Sequence, residues 1–318
     1  MAGDLLILSR DDVAELLDRD ELVAALRAAF VELSATRASV PPRVAAHTPS
    51  GLLAAMPGYA PGLPLGLKAV SVFAGNLGTD IPSHQGVIVT FDPNHGSPVA
   101  VMDASLITEI RTATSAAIAA DVCAPPAASV LAVIGAGALG REHVHAFAGI
   151  RPWTDIRIAS RTRDRAVQLA DEVGGLAHAV PTFDAAVIGA DVVCLCTDTD
   201  EPFLDADTVA PNAHVSSVGR GDEIPRSLVD AAASARRLVV EWRGAAIHPV
   251  PAGAVELQHV DSAHVVELGD VLSGAVPMGP GGRTVYKSTG HAIEDMAAAA
   301  VVLDAALRTG RGQRIPFG

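Results

Sequence analysis

The run Val130-Leu131-Ala132-Val133-Ile134 leads directly into Gly135-Ala136-Gly137-Ala138-Leu139-Gly140 and then into a stretch with helical spacing, all in the middle of the chain. A G-x-G-x-x-G turn between a strand and a helix uses each glycine for a different reason. The first permits the tight turn, the second lets backbone approach a pyrophosphate, and the third lets helix pack on strand. The helix then offers N–H groups and a positive dipole end to the anion. Glycine spacing alone arises by chance, so the flanking strand and helix carry the prediction of a dinucleotide site. The mid-chain address leaves both a head and a tail to be placed.

Downstream of this motif, strand and helix signals alternate. Arg157–Ser160, Asp191–Cys196 and His214–Gly219 read as strands, Arg165–Val173 as a helix, and Leu238–Glu241 and His264–Leu268 continue the series. Such alternation predicts the α/β class, with a Rossmann-type doubly wound sheet. The head differs. Ser9-Arg10-Asp11-Asp12 ahead of Val13, Leu16 and Leu17 predicts a capped helix, and Asp20–Leu33 a second amphipathic one. Pro41–Val44 and Leu52–Pro57 read as short strands, Leu65–Val72 and Gly86–Asp92 as stronger ones, and the turn Asp92–Gly96 returns the chain into Pro98–Met102. An Ala-rich helix, Ile107–Cys123, leads toward Gly135. After the loop Pro277–Arg283 and a turn at Lys287–Gly290, a last Ala-rich helix spans about His291–Leu307. The economical arrangement is a discontinuous α+β substrate domain, 1–118 plus 296–318, with a Rossmann dinucleotide-binding domain, 119–295, inserted into it. Substrate is then expected at the carboxyl ends of the parallel strands, facing the first domain.

The composition suits this reading, because 49% of the 318 residues are hydrophobic but only 3% aromatic, so the core is built from Ala, Val, Leu and Ile. A net charge of −13 without any Lys/Arg cluster repels phosphate backbones and anionic membranes, so neither nucleic acid nor membrane is expected as a partner. The segment Met1–Asp12 lacks the basic region of a secretion signal, and the odd set Cys123, Cys194 and Cys196 lacks disulfide or zinc spacing. Both features predict a reducing, cytoplasmic location. Cys194 and Cys196 alternate and are expected on one buried strand face, while His143 and His145 point in different directions on a helix, so no metal site is predicted.

Three cations of the first third stand in apolar settings: Arg43 after a proline pair, Lys68 inside a strand, and Arg111 opening a helix. A cation there needs a partner or an exit to water. One reading is structural pairing. The other is a pocket for an anionic substrate, in which the Arg forks grip a carboxylate and Lys68 supplies a point charge or a proton. Beyond Gly219, the segment Arg220-Gly221-Asp222-Glu223-Ile224-Pro225 follows a strand's carboxyl end, where an open α/β sheet places its ligand. Asp222 or Glu223 is positioned there for general acid–base work near a nicotinamide, against the alternative of a solvated loop.

Cofactor choice is legible at the end of the second parallel strand, where NAD-preferring sites place an acid on the ribose hydroxyls. This chain has Ser160-Arg161-Thr162 instead. Arg161 can pair with a 2′-phosphate while Ser160 and Thr162 donate hydrogen bonds, which favours NADP(H), with NAD(H) as the alternative.

Several stretches together resemble the ornithine cyclodeaminase/mu-crystallin family over almost the whole chain: Pro42-Arg43, Met56-Pro57, Gly66-Leu67-Lys68, Pro82–Gly86 through Phe91-Asp92, Thr108–Ala113, Gly135-Ala136-Gly137 and Gly290–Asp295. The resemblance implies a substrate domain formed by both chain ends, a Rossmann domain between them, and a homodimer joined through the substrate domains. It also implies that Arg43, Lys68 and Arg111 hold the substrate carboxylate. With the motif readings, the cofactor-binding set becomes Thr112, Gly135, Ala136, Gly137, Ala138, Leu139, Gly140, Ser160, Arg161, Thr162, Thr197, Val218 and Gly219. Two departures bear on chemistry. Ala54 stands where ornithine-cyclising members carry a Glu, and Gly221 stands at the place of their catalytic Asp, next to Asp222.

The expected activity is NAD(P)-dependent oxidation or reduction of a small α-amino or α-imino acid, with Lys68 or Asp222 handling the proton. Two alternatives use the same parts. A cyclodeaminase-type lyase would return the hydride to its product and release ammonia, and a mu-crystallin-like protein would bind a ligand without turnover.

Overall fold

The computed structural model describes residues 3–317 apart from 77, 220, 251 and 280, so Met1, Ala2, Arg220 and Pro280 of the segments singled out above lie outside the described residues. The chain opens with β1 (Gly3–Leu8), α1 (Arg10–Leu16), α2 (Arg19–Ser34), β2 (Val44–Thr48), β3 (Gly51–Gly58), β4 (Leu65–Val72), β5 (His84–Phe91), β6 (Pro98–Asp103) and α3 (Ser105–Cys123). The middle contains β7 (Val130–Ile134), α4 (Ala138–Ala148), β8 (Asp155–Ala159), α5 (Arg163–Val173), β9 (Ala177–Ala179), α6 (Phe183–Val187), β10 (Val192–Leu195) and β11 (His214–Ser217). It continues through α7 (Arg226–Ser234), β12 (Leu238–Val240), α8 (Arg243–Ala246), β13 (Val265–Glu267), α9 (Leu268–Leu272) and β14 (Thr284–Lys287), and the tail is α10 (Ala292–Thr309) and β15 (Gln313–Phe317).

Two compact units result: Met1–Arg111 with His291–Gly318, and Thr112–Gly290. The expected boundaries at 118/119 and 295/296 lie later in the chain. The physical reason for the second shift is that Glu294 and Asp295 form ion pairs with Arg111 and Lys68 and so belong with the head.

The first unit is built on a sheet of order β15-β1-β6-β5-β4-β3-β2. All its pairs are antiparallel except β1 with β6. Helix α1 starts as its sequence requires, with Ser9 Oγ accepting from the Asp12 N–H at 3.2 Å and the Ser9 N–H donating to Asp12 Oδ2 at 2.9 Å. Strands β1 and β15 carry no strand assignment in the sequence reading, because their pairing joins opposite ends of the chain and leaves no local turn signal. Pro41–Val44 is not a strand either. Strand β2 begins at Val44, after the two prolines, which have no N–H to give a ladder. Helix α10 lies on β3 and β4, and it can do so because glycine occupies positions 58 and 66. A Cβ on Gly66 would lie 2.3 Å from Met296 Sδ and 3.0 Å from Val89 O.

The second unit has an all-parallel sheet of order β13-β12-β14-β11-β10-β7-β8-β9. Its central strands, such as VLAVI and VVCL, are apolar runs because helices cover both faces. The winding reverses between β7 and β10, the place where such sheets bind ligands. Strand β14 inserts between β11 and β12 with Thr284, Val285, Tyr286 and Lys287 all buried. The sequence reading treats Lys287–Gly290 as a turn, but only 288–290 turns, held by Glu241 through Ser288 Oγ at 2.6 Å and the Gly290 N–H at 3.2 Å. A buried Lys in so short a run conceals the strand. The three cysteines are buried thiols. Among the described residues no helix is long and apolar enough to cross a membrane.

The close seat of α10 yields a first expectation. Gly66→Ala must displace Met296 or bend β4, and should lower unfolding free energy by about 1–3 kcal/mol in urea titration; an unchanged midpoint would contradict this packing.

Candidate active site

Lys68 projects from β4 inside the first unit and is only 2% exposed. Its Nζ lies 2.9 Å and 2.8 Å from Asp295 Oδ1 and Oδ2. Arg111, in α3 and 4% exposed, donates from Nε to Asp295 Oδ1 at 3.1 Å and from Nη1 to Glu294 Oε2 at 2.9 Å. Both acids sit in the first turn of α10, where the helix dipole also favours them. The other Glu294 oxygen, Oε1, accepts from the His291 N–H at 2.7 Å and so closes the helix N-terminus. Arg43, half-buried just before β2, makes its positive charge felt at both Lys68 and His291.

The electrostatic result follows from burial and sign. Loss of water pulls the Lys68 ammonium down from its ordinary 10.5 to about 8; Asp295 opposes that fall, and Arg111 and Arg43 add to it. Burial, reinforced by the Arg43 charge, pushes His291 down to about 3, so its ring is neutral at physiological pH. Lys68 and Arg111 thus meet two carboxylates, and the positive charge of Arg43 acts on the same cluster. The sequence reading places Arg43, Lys68 and Arg111 in one pocket, and the first unit brings them together. It assigns no role to Glu294 and Asp295. The available signal was an acidic pair opening an otherwise apolar, Ala-rich helix, which reads equally well as simple dipole compensation.

In the second unit the glycine loop has the geometry a dinucleotide requires. Gly135 adopts φ +116°, and a Cβ there would lie 2.5 Å from Cys196 O, so the turn packs directly against the chain leaving β10. A Cβ on Gly140 would lie 1.9 Å from Gly135 O, whereas one on Gly137 would meet nothing within 4 Å. The first and third glycines therefore serve packing, and the second leaves its face open for close approach. Gly137 is also the N-cap of α4 without a side-chain capping bond, so Ala138, Leu139 and Gly140 begin a helix whose N–H groups suit an anion. Ser160, Arg161 and Thr162 follow β8 as expected, with Arg161 and Thr162 exposed. Thr162 is the N-cap of α5, yet its hydroxyl makes no capping bond, and among the described residues Arg161 has no ion pair.

Asp222 is half-buried in the loop after β11, where burial and the Glu256 charge hold its carboxyl above the usual range. Glu223 is wholly buried and accepts from the Thr197 N–H and hydroxyl, Ser217 Oγ and the Gly219 N–H. Thr112 is buried in α3, and Val218 is half-buried with its N–H on Leu195 O.

With this arrangement in view, residues 4–310 match the family described as the ornithine cyclodeaminase/mu-crystallin family. The chain belongs to that family. The ketimine reductase mu-crystallin of Mus musculus is 38% identical over 255 residues, 80% of each chain. Among solved structures, the Delta(1)-pyrroline-2-carboxylate reductase of Thermococcus litoralis, in complex with NADH and L-proline, superimposes with a TM-score of 0.90 at 25% identity, covering 98% of this chain and 100% of that one. An archaeal alanine dehydrogenase dimer with bound NAD gives 0.90 at 27% identity, covering 99% and 100%.

For this family member the ion pairs predict a stability defect that can be measured without substrate. Asp295→Asn leaves two buried cations short of a counter-charge and should cost about 3–5 kcal/mol of unfolding free energy. Urea denaturation monitored by circular dichroism checks it, and a loss below about 1 kcal/mol would refute the pairing.

Proposed function

We propose that the chain is an NAD(P)-dependent oxidoreductase that interconverts a small α-imino acid and the corresponding α-amino acid. The observation that carries this reading is the buried cation cluster: Lys68 is held on Asp295 beside Arg111 and within the field of Arg43, so three cations converge where a substrate carboxylate would be held. The relatives named above support it, since they comprise a ketimine reductase, a pyrroline carboxylate reductase and an alanine dehydrogenase. The loop 135–140 would hold a nicotinamide dinucleotide, which when bound would supply or accept the hydride. Arg43 and Arg111 grip the substrate carboxylate, which fixes the prochiral carbon so that the reaction gains chiefly from orientation. Lys68, at about 8, exchanges a proton near physiological pH and is assigned the proton at the imine nitrogen. Asp222, whose carboxyl is held above its usual range by burial and the Glu256 charge, is the alternative group assigned to the proton.

Two finer points belong to the same reading. NADP(H) is the preferred cofactor, because Ser160-Arg161-Thr162 offers a cation and two hydroxyls where a 2′-phosphate would sit, with no acid in the triplet to repel it. The working form is a homodimer, as in the archaeal alanine dehydrogenase. Ornithine is disfavoured because Ala54, buried in β3, stands where the ornithine-cyclising members that this chain resembles carry a Glu, so a distal ammonium would lack a carboxylate partner.

Pyrroline and piperideine carboxylates, pyruvate with ammonia, and ornithine should be screened while NADPH and NADH consumption are followed separately. Stoichiometric loss of reduced nicotinamide is expected; ammonia release from an amino acid with no net nicotinamide change would replace this reading by a lyase. The kcat/KM for NADPH should exceed that for NADH by at least about tenfold, the worth of one charge-assisted pair, and a preference for NADH would remove the role of Arg161. The reductive kcat/KM should be level below the Lys68 pKa and fall as pH rises through about 8, where the ammonium is lost. A profile flat to pH about 10, the ordinary lysine value, would contradict the proton assignment.

A further inference from the structure

Glu223 was a candidate proton-transfer group on sequence, but both of its oxygens are committed. Oε1 accepts from the Thr197 N–H at 3.1 Å and from the Thr197 hydroxyl, and Oε2 accepts from Ser217 Oγ at 2.7 Å and the Gly219 N–H at 3.0 Å. These donors come from the ends of two neighbouring parallel strands, β10 and β11, beside the point where the sheet reverses its winding. Lys287, at the end of β14, extends the brace. Its Nζ donates to Ser217 Oγ at 3.0 Å, Gly219 O at 2.8 Å and Glu256 Oε1 at 2.8 Å, and Glu256 Oε1 also accepts the Glu223 N–H at 3.1 Å. The loop is pressed onto this frame. A Cβ on Gly219 would lie 2.3 Å from the Glu223 carboxyl carbon, and one on Gly221 would lie 1.7 Å from Thr199 O.

We propose that Glu223 is a positioning residue of the dinucleotide site, a buried carboxylate that locks the chain leaving β10 to the chain leaving β11 and so sets the shape of Thr197, Val218 and Gly219. The inference rests on the reading that this unit binds a nicotinamide dinucleotide. Chemistry makes the carboxylate specific. Each oxygen faces one backbone N–H, so either orientation of an amide turns its NH₂ toward a backbone donor that cannot rotate away. Glutamine is therefore not a conservative replacement at this position. Glu223 touches no reacting atom in this scheme, so its effect should appear in cofactor affinity and not in the chemical step.

The test uses the full-length protein with NADPH as probe. Glu223→Gln should raise the Kd for NADPH, followed by its fluorescence, about tenfold or more, and raise the cofactor KM in parallel. The kcat at saturating NADPH and the KM for the imino acid should stay within about twofold of wild type, a split that general loss of structure would not produce. Ser217→Ala, a milder change in case Glu223→Gln folds poorly, should weaken NADPH binding by a smaller factor. The double variant should be no worse than Glu223→Gln, because both act on one network. Amide exchange should accelerate at 197–199 and at 219, 221 and 222 in either variant. A folded Glu223→Gln that binds NADPH within twofold of wild type, or Ser217→Ala effects that add fully to it, would overturn the proposal. Failure of the wild-type protein itself to bind NADPH or NADH would instead overturn the reading of the site.

Discussion

The first unit depends on three buried ion pairs that join its head to its tail. Asp295 and Glu294 lie 227 and 183 residues along the chain from the cations they meet, Lys68 and Arg111 respectively. Withdrawing such charges from water costs several kcal/mol each, and only close, hydrogen-bonded partners offset it. Helix α10 therefore has to return to β4 and α3, and Gly58 and Gly66 leave the room for it. The same contacts that close the unit hold Lys68 and Arg111 at fixed positions. Assembly of the unit and placement of its buried cations are one electrostatic event.

The second unit applies a similar device to backbone. Its parallel strands end at loops whose shape is set by buried groups and not by capping side chains. Gly135 and Gly140 shape the first loop by letting backbone meet backbone. Glu223, Lys287 and Glu256 shape the loops after β10 and β11 by saturating one another and the nearby N–H and hydroxyl donors. A loop held in this way reaches its ligand already ordered, so less conformational entropy is lost on binding. Family membership, carried by a match across residues 4–310, agrees with a chain whose two units each keep a complete set of such devices.

Local patterns make much of this legible in the sequence. β4 spans Leu65–Val72 and β7 spans Val130–Ile134, as their apolar runs predict, and the capping box at Ser9 and Asp12 starts α1 as read. What escaped was non-local. β1 and β15 find their ladder partners only across long stretches of chain, β1 on β6 and on β15, and β14 hides behind a lysine whose burial is sensible only once Glu256 is beside it. At the site, the three cations were conspicuous because charge in an apolar setting demands explanation. Their partners were not, since acids in a helix's first turn are ordinary.

Residue type and short spacing alone set the inserted glycine-loop unit, the alternation that makes its sheet parallel, the acid-free triplet Ser160-Arg161-Thr162, and the three cations in apolar settings. Those properties survive without knowledge of distant neighbours. It takes the folded chain to show that Glu294 and Asp295 pair with Lys68 and Arg111, that His291 is neutral, and that Glu223 is a brace while Asp222 stays partly exposed. The reason is that burial and counter-charge are properties of assembled neighbours: a carboxylate reads the same in any sequence until packing determines which donors surround it and how much water is left.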